Sequence, residues 1–412
     1  MRQRTKPEKT ADKSADSKQQ QHGQQSAGGS WCYAMIFVVL LVMGIVVYFL
    51  SSLNSPGPDD GPQYTGVYAV NNELQKARRI FEGQIVGPES FAVDKDGYLY
   101  TGLVDGRLVK IDLQKETYTL VTRMGDPPYD KCGMISMIPH CGRPLGMAWL
   151  KNGKLLVVDS DKGLNLVNTT TGEKEILFDT NTSEDINCKV FNNPVVLSNG
   201  SVFVSCMSID FGLHEILDES FPLFEYLWNP SPTNASGMLL HYNPTTGKMV
   251  VVEGHDLLTA NGVAISSNEA FIIVAEMVGR RISQYHLKGP KKGKWDVFLS
   301  NLPGVIDNIT PSKKYGGFWV SVTRLWPGVL MDFSSYQSWV QSIMAKLQLT
   351  TTLHHPDISH TILLLVDDEG KVVRSLHEPT GKVLDEVTEA FEMDDEIIIG
   401  SYSRPYLSRV KF

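Results

Sequence analysis

Charge is missing from Trp31 to Leu50, and apolar residues are nearly missing from the leader that precedes this run. The first absence predicts a membrane-crossing helix, because at about 1.5 Å per residue the run spans roughly 30 Å, the hydrocarbon thickness of a bilayer. The second predicts disorder: a leader rich in Gln, Ser and Lys cannot bury enough surface to offset the entropy of ordering. Arg2, Arg4, Lys6, Lys9, Lys13 and Lys18 precede the span whereas Asp59 and Asp60 follow it, so the N-terminus is expected to stay cytosolic. Leader and apolar run both exceed the regions of a cleaved signal peptide, which favours an uncleaved anchor. Beyond residue 85 no basic stripe appears, and the formal charge is −8. Nucleic acid is thereby excluded as a partner.

This type II topology places the remainder of the chain in the secretory lumen or outside the cell, where thiols oxidise. Cys132 and Cys141 bracket a loop containing Pro and Met and are expected to pair. Cys188 and Cys206 flank a predicted hairpin, and their spacing leaves the pairing open. Cys32 sits at the membrane edge, where it serves as an apolar residue or an acylation site. Glycosylation sequons stand at Asn168, Asn181, Asn199 and Asn234, which are expected to carry glycans, and at Asn308, which the repeat described next places inside the fold.

Six stretches share one pattern, a polar or otherwise distinctive residue followed about eight positions later by a turn between two strands. Glu89 leads to Gly97, Leu145 to Gly153, Asn192 to Gly200, Asn261 to Glu269 and Asn308 to Gly316, while Thr388 stands slightly closer to Asp395. Each is followed by a second hairpin with a polar, Gly-containing turn, as in GRLVKIDLQKETYTLV and TILLLVDDEGKVVRSLHE. Four strands per unit and six units predict an all-β, six-bladed β-propeller, whose radial repetition leaves only short edges. The segment Ala77 to Phe81 is expected to add the strand that closes the last blade against the first.

The predicted organisation is therefore a cytosolic tail (1–30), an anchor helix (31–53), a stalk (54–75) and the propeller (76–412). An insertion at 326–360 interrupts the rhythm, and Tyr336, Trp339, Val340, Ile343, Met344 and Leu347 recur there at helical spacing. It is expected to form an amphipathic helix lying as a lid over the mouth of the ring, with membrane or partner contact, or burial as a connector helix, as the alternatives.

Residues at equal places in six units meet around the ring's axis. Glu89, Asn192, Asn261, Asp307 and Asn308 bring hard oxygen donors there, without a thiolate or imidazole among them. Such a set suits Ca²⁺, which takes six to eight oxygens at flexible geometry.

The motifs GPES at Glu89, CGRPLG at Cys141 to Gly146, ANGV at Asn261 and LPGVIDNI across Asp307 and Asn308 resemble the strictosidine synthase-like family, in its adipocyte plasma membrane-associated protein and hemomucin branch. The resemblance covers nearly everything from residue 76 onward and extends to the anchor. It implies a propeller related to paraoxonases and gluconolactonases, with axial Ca²⁺ held by Glu89, Asn192, Asn261, Asp307 and Asn308. Asn193 replaces an acid usual in the third-blade motif. Leu145 and Ser160 stand where paraoxonases carry histidines, and Thr388 stands near the catalytic Glu of strictosidine synthases. Alkaloid condensation is thereby disfavoured, since Thr388 cannot deprotonate an amine, and strand alternation points Glu389 to the opposite face.

What remains is hydrolysis of a small hydrophobic ester or lactone, in which the metal polarises the carbonyl and Asp307 or Asp159 acts as base. His140, His241, His255, His354, His355 and His360 are expected to be solvated or hydrogen-bonded at the surface. The competing expectations are a purely structural metal and an adhesion or recognition surface. Oligomeric state is not legible.

Overall fold

The computed structural model describes residues 64–179, 185–217, 237–252, 257–325 and 360–411, together with Val42. The anchor run and the 326–360 insertion fall outside the described residues, Val42 and His360 excepted, as do Asn181 and Asn234. No helix among the described residues is long and apolar enough to cross a membrane.

Within the unit Pro56–Phe412, strand β1 (Arg78–Ile80) precedes the first blade, made of β2 (Phe91–Val93), β3 (Leu99–Gly102), β4 (Arg107–Asp112) and β5 (Thr117–Arg123). The second blade holds β6 (Pro144–Trp149), β7 (Leu155–Asp159), β8 (Gly163–Val167) and β9 (Lys174–Phe178). The third holds β10 (Val190–Val196), β11 (Val202–Ser208), β12 (Met238–Asn243) and β13 (Lys248–Val251). The fourth consists of β14 (Ala260–Ile265), β15 (Phe271–Glu276), β16 (Arg281–His286) and β17 (Trp295–Leu299). The fifth consists of β18 (Gly304–Pro311), β19 (Phe318–Leu325), β20 (Thr361–Val366) and β21 (Val372–Glu378). The sixth takes β22 (Val387–Met393), β23 (Glu396–Ser401) and β24 (Leu407–Lys411), with β1 as its outermost strand. Every pairing is antiparallel, and Arg78, Arg79 and Ile80 face Arg409, Ser408 and Leu407. The ring is thus closed by the segment the sequence marks for it.

The turn after each innermost strand needs a left-handed residue to match the strands' twist. Gly97, Gly153, Gly200 and Gly316 supply it where expected, and Glu269 and Asp394 adopt it without being glycine. In the sixth blade Asp394, rather than the neighbouring Asp395, takes that conformation.

Packing confirms closure independently. Apolar clusters lie between successive blades, such as Tyr100 and Leu108 against Leu155 and Val157 between the first and second. Phe91, Leu99 and Val109 pack against Ile398 and Leu407 between the first and sixth. Strands with neighbours on both faces read as continuous apolar runs, and TILLLV of β20 is buried throughout.

Two short helices, α1 (Ile138–Cys141) and α2 (Leu213–Ile216), cover one end of the second and third blades. Ile138, Leu213 and Ile216 pack there on Leu145 and Val190. Cys132 and Cys141 form a disulfide that ties down the preceding loop, and Cys188 pairs with Cys206. Asn168 and Asn199 lie in hairpin turns.

Part of the stretch assigned to a stalk packs against the fifth blade. Asn71 donates to Ser375 O at 3.0 Å and accepts from His377 N at 3.1 Å, and Ser375 Oγ donates to Val67 O. Beneath this strap His360 Nε2 and His377 Nδ1 stand 2.9 Å apart, and Tyr64 stacks on His360. His360 is buried, not a solvated surface histidine, because the strap covers it.

Candidate metal centre

Five of the six innermost strands break their ladders at the same place. In β6, β10, β14, β18 and β22 two residues oppose one on the neighbouring strand: Leu145–Gly146, Asn192–Asn193, Asn261–Gly262, Asp307–Asn308 and Thr388–Glu389. In the first blade Glu89–Ser90 lies just ahead of β2. A bulge of this kind suspends strict alternation, so both residues of a pair are re-aimed. Two of the pairs end in glycine because the next blade crowds in. A Cβ on Gly262 would lie 2.5 Å from Asn308 Cα, and one on Gly146 would lie 2.7 Å from Asn193 Cα.

The pairs interlock. Asn308 Nδ2 donates to Glu89 Oε1 at 2.9 Å, and Asn308 Oδ1 accepts from Asn193 Nδ2 at 3.0 Å. Thr388 Oγ1 donates to Glu89 O at 2.6 Å, and Ser90 Oγ donates to Leu145 O at 2.5 Å. Asn261 reaches the Asp307 carboxyl through its side chain. Four blades are thereby tied to Glu89 directly or through one intermediary.

Glu89, Asn192, Asn261 and Asp307 are all at most 5% exposed. Their Glu89 Oε2, Asn192 Oδ1, Asn261 Oδ1 and Asp307 Oδ1 atoms are buried without a hydrogen-bond partner. An unpaired buried acceptor costs about 1–3 kcal/mol, so four of them at equivalent places in four blades mark positions built for something other than protein donors. All four are acceptor oxygens, the donor type a hard cation takes. Among the described residues no group of three carboxylate, imidazole or thiolate side chains is placed to hold an ion. A cation here must draw on the amides. Asn308, expected as a ligand, donates to Glu89 and accepts from Asn193, and its Oδ1 keeps a second lone pair for a cation.

Burial pushes the Asp307 carboxyl well above the usual carboxylate range, and the Glu89 charge adds to this. Burial likewise raises Glu89, opposed by the Arg143 guanidinium and the Asn308 hydrogen bond. Arg143 is fully enclosed and held down to about 10 by that enclosure, with Glu89 and Asp159 opposing the shift. It donates to Gly87 O at 2.8 Å and Tyr402 O at 2.9 Å, joining the first, second and sixth blades. The CGRPLG motif contained this residue, but nothing in the sequence marked it as the counter-charge of Glu89.

Asp159 has a different setting. Its Oδ1 accepts from Asp161 N and Lys162 N, shaping the turn after β7, and burial followed by Asp161 raises it to about 6. Glu389 departs from expectation. The bulge turns it toward the first blade, where Phe91 N donates to its Oε1 at 3.1 Å. Burial and then the Glu89 charge raise it well above its ordinary value, with Asp307 adding. Simple alternation fails because the strand is not regular there.

Comparison with known proteins bears on the family and the fold. The family model described as strictosidine synthase-like, N-terminal, matches residues 66–111, and that described as strictosidine synthase matches 219–290. The chain is 33% identical to the adipocyte plasma membrane-associated protein of Salmo salar, over 93% of this chain and 88% of that one. It is 29% identical to the adipocyte plasma membrane-associated protein Hemomucin of Drosophila melanogaster, over 90% of this chain and 69% of that one. Among solved structures, a gluconolactonase from Xanthomonas campestris superimposes with a TM-score of 0.54 at 14% identity, covering 86% of this chain and 96% of that one. The matching family models and the extended sequence identity together make this chain a member of the strictosidine synthase-like family, in its adipocyte plasma membrane-associated protein and hemomucin branch.

Proposed function

We propose that this chain is a single-pass type II membrane glycoprotein whose lumenal or extracellular propeller binds Ca²⁺ at its axis and hydrolyses small hydrophobic esters or lactones. The carrying observation is the group of four unpaired buried oxygens on Glu89, Asn192, Asn261 and Asp307. These residues would hold the ion, and when bound it supplies Lewis acidity toward a carbonyl oxygen. Asn308 keeps the Glu89 carboxylate in place, and Arg143 balances part of its charge. Of the two candidate bases, Asp307 belongs to the axial group, whereas Asp159 is engaged in its turn. Asp307 is therefore the proton acceptor in this scheme.

The membrane assignment rests on the uncharged run Trp31–Leu50 and its flanking charges, and relatives carry a plasma membrane-associated name. Two disulfides suit an oxidising compartment. A gluconolactonase is built on the same fold, which supports a hydrolytic use of the axis. Turnover of phenyl acetate and of a γ-lactone by the purified chain, with and without EDTA, tests the scheme. Calcium-dependent turnover lost in Asn261→Ala supports it. Calcium-dependent stability without turnover of either substrate leaves a structural metal in a recognition protein.

A further inference from the structure

The sixth blade contributes a carboxylate to the axis that the oxygen set above does not include. Thr388 and Glu389 together oppose Gly400 across the β22 bulge, and both engage the first blade, Thr388 through Glu89 O and Glu389 through Phe91 N. Glu389 is 3% exposed. The charges that bear on it are the negative ones of Glu89 and Asp307. Arg143, the buried cation facing Glu89, is shared with Asp159 and Asp105. A carboxyl enclosed among like charges, with one backbone amide as donor, carries its negative charge only when a counter-charge enters the group and holds a proton otherwise. The four unpaired oxygens of Glu89, Asn192, Asn261 and Asp307 mark where that counter-charge sits.

We propose that Glu389 is the outer carboxylate of the axial site, a positioning residue that does not ligate the ion but supplies the field that makes the site select divalent over monovalent cations. This rests on the metal-binding reading above. Two ligand carboxylates diluted by neutral amides form a weak field for a divalent ion, and a third buried charge just outside the ligands strengthens it without crowding them.

The test uses the full chain in detergent, titrated with CaCl₂ calorimetrically, with NaCl as competitor, alongside thermal melts in EDTA. Glu389→Gln keeps an acceptor for Phe91 N and removes the charge. It is expected to weaken calcium binding about tenfold or more and to make sodium a better competitor, while the melting temperature in EDTA stays level or rises. A merely structural glutamate would instead lower that temperature. Calcium affinity and sodium competition within about twofold of wild type overturn the proposal while leaving the metal site intact. If wild type itself binds no calcium, the metal reading falls, and this one with it. Glu389→Asp retains the charge and serves if the Gln variant does not fold: affinity between those of wild type and Asn261→Ala supports the proposal, and affinity as low as that of Asn261→Ala overturns it.

Discussion

The Asn308 amide donates to the Glu89 carboxylate at 2.9 Å across 219 positions of sequence, joining the fifth blade to the first. Its other end accepts from Asn193 of the third. Asn308→Ala strands a buried carboxylate oxygen and a buried amide together, which is expected to cost about 2–4 kcal/mol. Urea denaturation in EDTA measures it. Asn308→Asp adds a negative charge to the group and should destabilise at least as much in EDTA, with more of the loss recovered when calcium is added.

Calcium should stabilise the wild type by mass action, by about 2.7 kcal/mol at a free concentration one hundred times its dissociation constant. Asn261→Ala removes one of the four unpaired oxygens and is expected to abolish most of that increment. Thermal melts across a calcium series read both. An increment equal in the two proteins would remove Asn261 from the site.

Acid should loosen the strap over the fifth blade. Burial, with His360 beside it, pushes His377 down to about 4, below the ordinary value of about 6.5. Between these values the unfolded chain binds more protons than the folded one, so stability falls as pH drops from about 6.5 toward 4, by up to about 3 kcal/mol. Burial lowers His360 too, while Glu378 opposes the shift. His377→Gln should flatten the profile between pH 7 and pH 5, read by urea melts at each value. An unchanged slope would assign the acid sensitivity elsewhere.

Replacing Cys188 and Cys206 together by alanine opens a cross-link spanning 18 positions, for which chain entropy gives about 3 kcal/mol. Both residues lie in the apolar cluster between the second and third blades, so alanine also leaves unfilled volume. Chemical denaturation of the oxidised proteins should show a loss of at least the entropic amount.

The blades were legible because the ring repeats. Six hairpins of equal spacing, each with an outer hairpin behind it, specify strand order without long-range information, and the closing strand followed from β-forming residues left over at Ala77 to Phe81. Glu89, Asn192 and Asn261 were legible for the same reason, as equal places in equal units, and Asp307 as the neighbour of Asn308, which holds that place in the fifth. Glu389 was lost because alternation presumes an unbroken ladder, and the β22 bulge is a matter of backbone pairing that composition does not announce. Its signal was nonetheless present: Ser90, Asn193 and Glu389 each stand one place after the leading residue of their units. Arg143 and the His360–His377 pair depend on what covers them, which is decided by neighbours far away in sequence.

The N-terminal strap gives the ring a mechanical polarity. Tension arriving upstream of Tyr64 meets the contacts of Val67 and Asn71 on β21 before it reaches the three paired residues of β1 against β24. A pull applied there would therefore load the strap before it loads the seam where the circle is fastened.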